Sequence, residues 1–230
     1  MVGMAVSFLF LALGLAICLI WLGSMKTDQT LKVAQPALRE IFSVLSKRSY
    51  ASMYTIIFCC FFVFSAVLNF LPFRLVELNE SFSEFRIGTI YIGYVAGVVT
   101  ALLAMDIARL IGGEGPAIAV AVIVLVVSLF GWSFDNTHLL FINMFVFSGA
   151  MFLVHALVSG LLNHRIERHK GAANGVYVAV FYGGGVLGSS VPGLAYRQYG
   201  WEGLLIWQLP LTVIAFIATL ILSLGDKARE

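Results

Sequence analysis

Seven apolar runs follow one another along this chain, at residues 2–24, 51–73, 87–108, 116–134, 138–163, 171–195 and 203–224. At about 1.5 Å per residue each is long enough to cross a hydrocarbon layer roughly 30 Å thick. No water is present there to partner backbone N–H and C=O groups, so the runs must fold as helices, and they lack the period-two alternation of a barrel strand. The expected fold is an all-α membrane protein of seven transmembrane helices, the first a peripheral helix joined by an amphipathic cytoplasmic linker to a six-helix bundle. With 60% hydrophobic and 11% charged residues, the composition excludes an ordinary soluble domain and makes the lipid bilayer the first partner. A net charge of +2, placed in short clusters between the runs, excludes nucleic acid as a partner.

Alternate connections divide the basic residues unequally. Lys26, Lys32, Arg39, Lys47, Arg48, Arg109, Arg165, Arg168, Lys170, Lys227 and Arg229 fall on one side, and only Arg74, Arg86 and Arg197 on the other. The richer side is expected in the cytoplasm, which puts Met1 outside and Glu230 inside. No Lys or Arg precedes Met25 and the first run exceeds a signal-peptide core, so it reads as a spanning helix. The longest connection carries Leu38, Ile41, Phe42 and Leu45 at helical spacing after Pro36, which predicts a short helix on the membrane surface. The expected organisation is therefore 1–25 as a first helix belonging to another packing unit, 26–50 as the linker, and 51–230 as the bundle.

Polar side chains inside apolar helices show where a bundle is wet or self-bonded. In the fifth run Ser148, His155 and Ser159 share one stripe, with Asn163 beside them. Tyrosines and cysteines aside, His155 is the only ionisable side chain deep in any run; it reads either as a neutral histidine bonded to a neighbouring helix or as the lining of a substrate or proton path. Ser159 is no hydrolytic nucleophile, because it shares a helix turn with His155 and no carboxylate orients the imidazole. In the second run Tyr54, Ser65 and Asn69 predict a further wet face, and in the third Tyr91 and Tyr94 share a side. Asp106 and Arg109 are spaced for a local ion pair at a helix end.

Gly93 and Gly97, and then Gly184, Gly188 and Gly193 in the sixth run, read as positions of close helix approach. Tyr177 and Tyr182 lie about 140° apart, so only one can enter a shared cavity; Tyr177, on the side of Asn174, is the expected one. Cys18, Cys59 and Cys60 lie within apolar runs without metal-ligand spacing, so neither metal nor cofactor is expected.

The stretch from Arg165 to Lys170, followed by Gly171-Ala172-Ala173-Asn174-Gly175-Val176-Tyr177, the Tyr182-Gly183-Gly184-Gly185-x-x-Gly188 run, Gly193 and Tyr199-Gly200-Trp201, resembles the penultimate helix and following turn of major facilitator superfamily transporters. Gly149-x-x-Phe152-x-x-His155-x-x-x-Ser159 is similar in residue types to bacterial inner-membrane efflux permeases of the drug/proton antiporter kind. The resemblance is clear over the last hundred residues and extends to the rest by helix count. It implies helices six to twelve of a twelve-helix carrier, with residues 26–50 as its central loop, exporting a small organic solute by alternating access with His155 in proton coupling.

The chain departs from the family in two ways. Asp106, Arg109 and Gly112 are a degraded copy of a family loop associated with gating, and five helices of the other half are absent. The second departure keeps open a transport-inactive split half that needs a missing N-terminal half or a second copy. A seven-helix receptor or retinal protein is disfavoured, since no run contains a lysine and the receptor motifs are missing.

Overall fold

The computed structural model describes residues 2–24, 47–166 and 169–227, and separates into two units, Met1–Gln35 and Pro36–Glu230. The expected surface helix around residues 38–45 and the basic residues Lys26, Lys32, Arg39, Arg168 and Arg229 lie outside the described residues. In the first unit, α1 (Val2–Ser24) is a single helix.

The second unit begins with α2 (Arg48–Leu78) and α3 (Glu84–Thr89), which passes through a 3-10 turn at Ile90–Gly93 into α4 (Tyr94–Leu102); α5 (Ala104–Ile111), α6 (Glu114–Gly131), α7 (Thr137–Arg165), α8 (Lys170–Ser190) and α9 (Pro192–Lys227) complete it. Among the described residues there is no strand. The chain is a multi-pass membrane protein: α2, the segment Glu84–Leu102, α6, α7 and the part of α9 from Pro192 to Leu224 are each long and apolar enough to span. The remaining two expected runs form α1 and the glycine-rich α8.

Local chemistry explains the ends. Asn136 caps α7 by accepting from the N–H groups of His138 at 2.9 Å and Leu139 at 3.4 Å. Gly112 closes α5 in the left-handed region at φ 98°, where a side chain is disfavoured. Two boundaries differ from expectation. The third run is broken at the 3-10 turn and again at Leu103 (φ −92°, ψ 8°), and the sixth stops at Ser190, so that Gly193 belongs to α9. Gly200, at φ 67° and ψ −159°, interrupts α9 in a conformation essentially confined to glycine. Helix resumes at Trp201, whose buried indole N–H donates to the Trp132 carbonyl at 2.7 Å and joins α9 to the end of α6.

Two pairs of helices run parallel. The bonds from α2 to α8 keep a nearly constant offset, 119 residues at Tyr54–Ala173 and 120 at Ser65–Gly185 and Asn69–Ser189. Between α7 and α4 with the 3-10 turn before it, Gly93 faces Met144, Gly97 faces Phe152, and the Thr100 hydroxyl donates to the Gly149 carbonyl at 2.9 Å. The core between these pairs holds Met53, Ile57, Phe64, Leu71, Trp132, Met144 and Phe147. Pro72 inside α2 supplies no N–H to the carbonyl four residues earlier, and the Tyr91 hydroxyl donates to that carbonyl, Leu68 O, at 3.1 Å.

Candidate functional site

The predicted stripe on α7 meets α8. Half-buried His155 and buried Tyr177 face each other, with the Tyr177 hydroxyl 3.1 Å from His155 Nδ1 and 3.3 Å from the His155 carbonyl oxygen. One turn on along α8, Phe181 lies with its ring centroid 4.7 Å from the imidazole and stacks on Phe61 of α2 at 3.8 Å. Towards the basic ends of the two helices, Asn174 donates its amide N–H to Asn163 Oδ1 at 2.8 Å, and Asn163 donates to the Ser159 carbonyl at 3.0 Å. His155, Ser159, Asn163, Asn174 and Tyr177 therefore form one polar line along the α7–α8 seam, walled by Phe61 and Phe181. Tyr182 is 61% exposed and points away from it.

This geometry permits two hydrogen arrangements. With Nδ1 unprotonated, the Tyr177 O–H donates to the ring; with Nδ1 protonated, the ring donates to the Tyr177 oxygen and the phenolic hydrogen turns to the His155 carbonyl. The protonation state of Nδ1 thus sets the direction of this bond between α7 and α8.

The second expected face is built differently. Tyr54, Ser65 and Asn69 donate to the Ala173, Gly185 and Ser189 carbonyls at 3.2, 2.9 and 2.8 Å. These three side chains of the expected wet face thus meet carbonyls of α8, and Asn69 remains exposed. The glycines explain how those carbonyls come within reach. A Cβ on Gly184 would lie 2.5 Å from the Phe58 carbonyl oxygen, one on Gly188 would overlap the backbone of Phe62, and one on Gly193 would lie 2.9 Å from Phe70 Cζ. Gly93 and Gly97 play the same part against Met144 and Phe152, at 2.6 and 2.7 Å.

Tyr94 belongs to a separate aromatic cluster with Phe64 and Phe152, its ring centroids 5.8 and 5.7 Å from theirs. Ser148 is fully buried with no hydrogen-bond partner among the described residues. Asp106 and Arg109 form an exposed pair at 3.2 Å, away from both clusters. Among the described residues no group of His, Cys, Asp or Glu has the arrangement of a metal site.

The sequence profile of the Major Facilitator Superfamily matches residues 1–189. The chain belongs to this family. The match takes in α1 as well as the bundle as far as the end of α8, a reach wider at the start than the motif likeness centred on the last hundred residues. No curated protein sequence matches the chain. Among solved structures, an in meso crystal structure of the POT family transporter PepTSo is similar, with a TM-score of 0.65 at 19% identity. The likeness covers 78% of this chain and 37% of that one, so this major facilitator chain spans well under half the length of that relative.

Two features of this family member lie beyond the expected site residues. Phe181 lies four residues after Tyr177, and that helical spacing was the available signal for its place on the seam. At the opposite ends of the helices, Arg74 Nη2 binds Asp135 Oδ1 at 2.5 Å and Nη1 reaches Glu77 Oε2 at 3.4 Å, while the Tyr196 hydroxyl donates to Glu77 Oε1. Arg74 and Glu77 are three residues apart on α2, but no sequence spacing links them to Asp135 or Tyr196.

Proposed function

We propose that this chain is the C-terminal portion of a proton-coupled secondary transporter that exports a small, partly apolar organic solute by alternating access. The hydrogen-bonded His155–Tyr177 pair across α7 and α8 carries this reading, since it lets one proton change how two helices are joined. His155 is the proton-coupling group, Tyr177 its partner, and Phe61 and Phe181 offer faces to a planar solute. Asn174 and Ser159 supply polar contacts. Tyr54, Ser65 and Asn69 hold α2 to α8 and position the site rather than line it.

On this reading all seven apolar helices span the bilayer of a bacterial inner membrane, with the N-terminus outside and the C-terminus cytoplasmic, following the distribution of Lys and Arg. The exposed apolar faces of α4, with Val95, Val98 and Leu102, and of α8, with Val178 and Val186, accept a missing N-terminal half or a second copy to close the cavity. Chemistry is confined to binding and proton transfer, so the protein is not an enzyme.

Purified full chain in vesicles with an imposed pH gradient tests this, with ethidium fluorescence as the solute signal and a trapped pH dye as the proton signal. His155→Gln should abolish ethidium-driven proton movement, and Tyr177→Phe should reduce it about tenfold or less, since one hydrogen bond contributes roughly 0.5–1.5 kcal/mol. Full coupling in His155→Gln would refute the assignment.

A further inference from the structure

At the end of the bundle remote from Tyr50, a pocket of about 510 Å³ opens between α2, α8 and α9. Its lining includes Phe70, Phe73, Ser189, Ser190, Tyr196 and Arg197. Ser189 follows Tyr177 by twelve residues on α8, so the pocket lies about 18 Å along the helix from the His155 seam.

Its charges are unequally engaged. Arg74 is held by Asp135 and Glu77, and Glu77 also accepts from Tyr196. Arg197 is exposed, with no hydrogen-bond or ion-pair partner among the described residues. The Ser189 and Ser190 hydroxyls both donate to the Val186 carbonyl at 2.9 Å, which leaves the Arg197 guanidinium as the principal uncommitted donor. In the same lining, the rings of Phe70, Phe73 and Tyr196 form an apolar wall, with centroid separations of 5.3 to 6.4 Å. A guanidinium presents a planar fork suited to a carboxylate or phosphate, and an aromatic wall suits a hydrocarbon body.

We propose that this pocket binds an amphipathic organic anion, its carboxylate or phosphate on Arg197 and its apolar body against Phe70, Phe73 and Tyr196. The same chemistry is offered by a soluble aromatic acid and by an anionic lipid.

The test uses the full chain in phosphatidylcholine nanodiscs. Calorimetric titration compares 4-phenylbutyrate with 4-phenylbutyramide, and native mass spectrometry measures retained phosphatidylglycerol when that lipid is mixed in. Binding of the acid at least tenfold tighter than the amide, lost in Arg197→Gln and partly kept in Arg197→Lys, supports a solute site. Selective retention of phosphatidylglycerol, lost in Arg197→Gln, supports a lipid site. Arg197→Gln that behaves as the wild-type chain with both probes, or an amide that binds as tightly as the acid together with no selective retention of phosphatidylglycerol, overturns the proposal. Arg197 is exposed, so its variants should keep the thermal stability of the parent, and Phe73→Ala gives a second variant in which acid binding should weaken.

Discussion

Replacing Gly184 or Gly188 by alanine should separate α2 from α8. A Cβ at Gly184 falls 2.5 Å from the Phe58 carbonyl oxygen, where ordinary contact begins at 3.4 Å, and at Gly188 it meets the Cα and carbonyl carbon of Phe62 at 2.8 and 2.9 Å. The obstacle is helix backbone, so no rotamer change relieves it and one helix must move by about 0.9 Å at Gly184 and by more at Gly188, where the Phe62 carbonyl oxygen is nearer still. A shift of that size stretches the Ser65–Gly185 and Asn69–Ser189 bonds, now 2.9 and 2.8 Å, beyond hydrogen-bonding range. Overpacking costs about 1–3 kcal/mol and each interhelical bond contributes roughly 0.6 kcal/mol, which together predict a loss of about 2–4 kcal/mol. For a chain of this length that lowers the apparent melting temperature by roughly 4–16 °C.

The buried Cys59 and Cys60 thiols report the change directly. In a Cys18→Ser background, which removes the exposed thiol, reaction with a fluorogenic maleimide on heating should begin at a lower temperature in both variants. Gly183→Ala is the control, because its Cβ would meet nothing within 4 Å. Identical transitions for Gly183→Ala, Gly184→Ala and Gly188→Ala would refute the close-approach reasoning.

Two further outcomes follow from single contacts. Trp201→Phe leaves the buried Trp132 carbonyl without its donor and should lower stability by about 1–3 kcal/mol in the same thiol assay. Asp106→Ala and Arg109→Ala, which break a pair exposed on both sides, should change it by less than about 0.5 kcal/mol, whereas Asp135→Ala, which removes a partner of the mostly covered Arg74, should lower it more.

The helical architecture was legible because hydrocarbon leaves the backbone no alternative, and the polar stripe containing His155 was legible because helical period survives in any surroundings. What a stripe faces is another matter. The donors Tyr54, Ser65 and Asn69 would show the same period whether opposite water or opposite carbonyls, and only the approach of α8 decides between them. Gly184 and Gly188 signalled a close neighbour without saying which, since the partner lies far away in sequence. The preference for Tyr177 over Tyr182 came from angle alone, while its bond to His155 needed the position of a second helix. The breaks at Ile90–Gly93 and Leu103 fall inside a continuous apolar run and had no compositional mark.

The parallel pairing of α2 with α8 also sets a timetable for synthesis. Its partners lie about 120 residues apart, and at ~5–20 residues per second α2 leaves the ribosome roughly 6–24 s before the glycines that will hold it. Throughout that interval Ser65 and Asn69 lack their final acceptors, and so does the groove that Gly184 and Gly188 will fill. The nascent chain therefore carries a half-finished polar seam until residues 184–189 are in place.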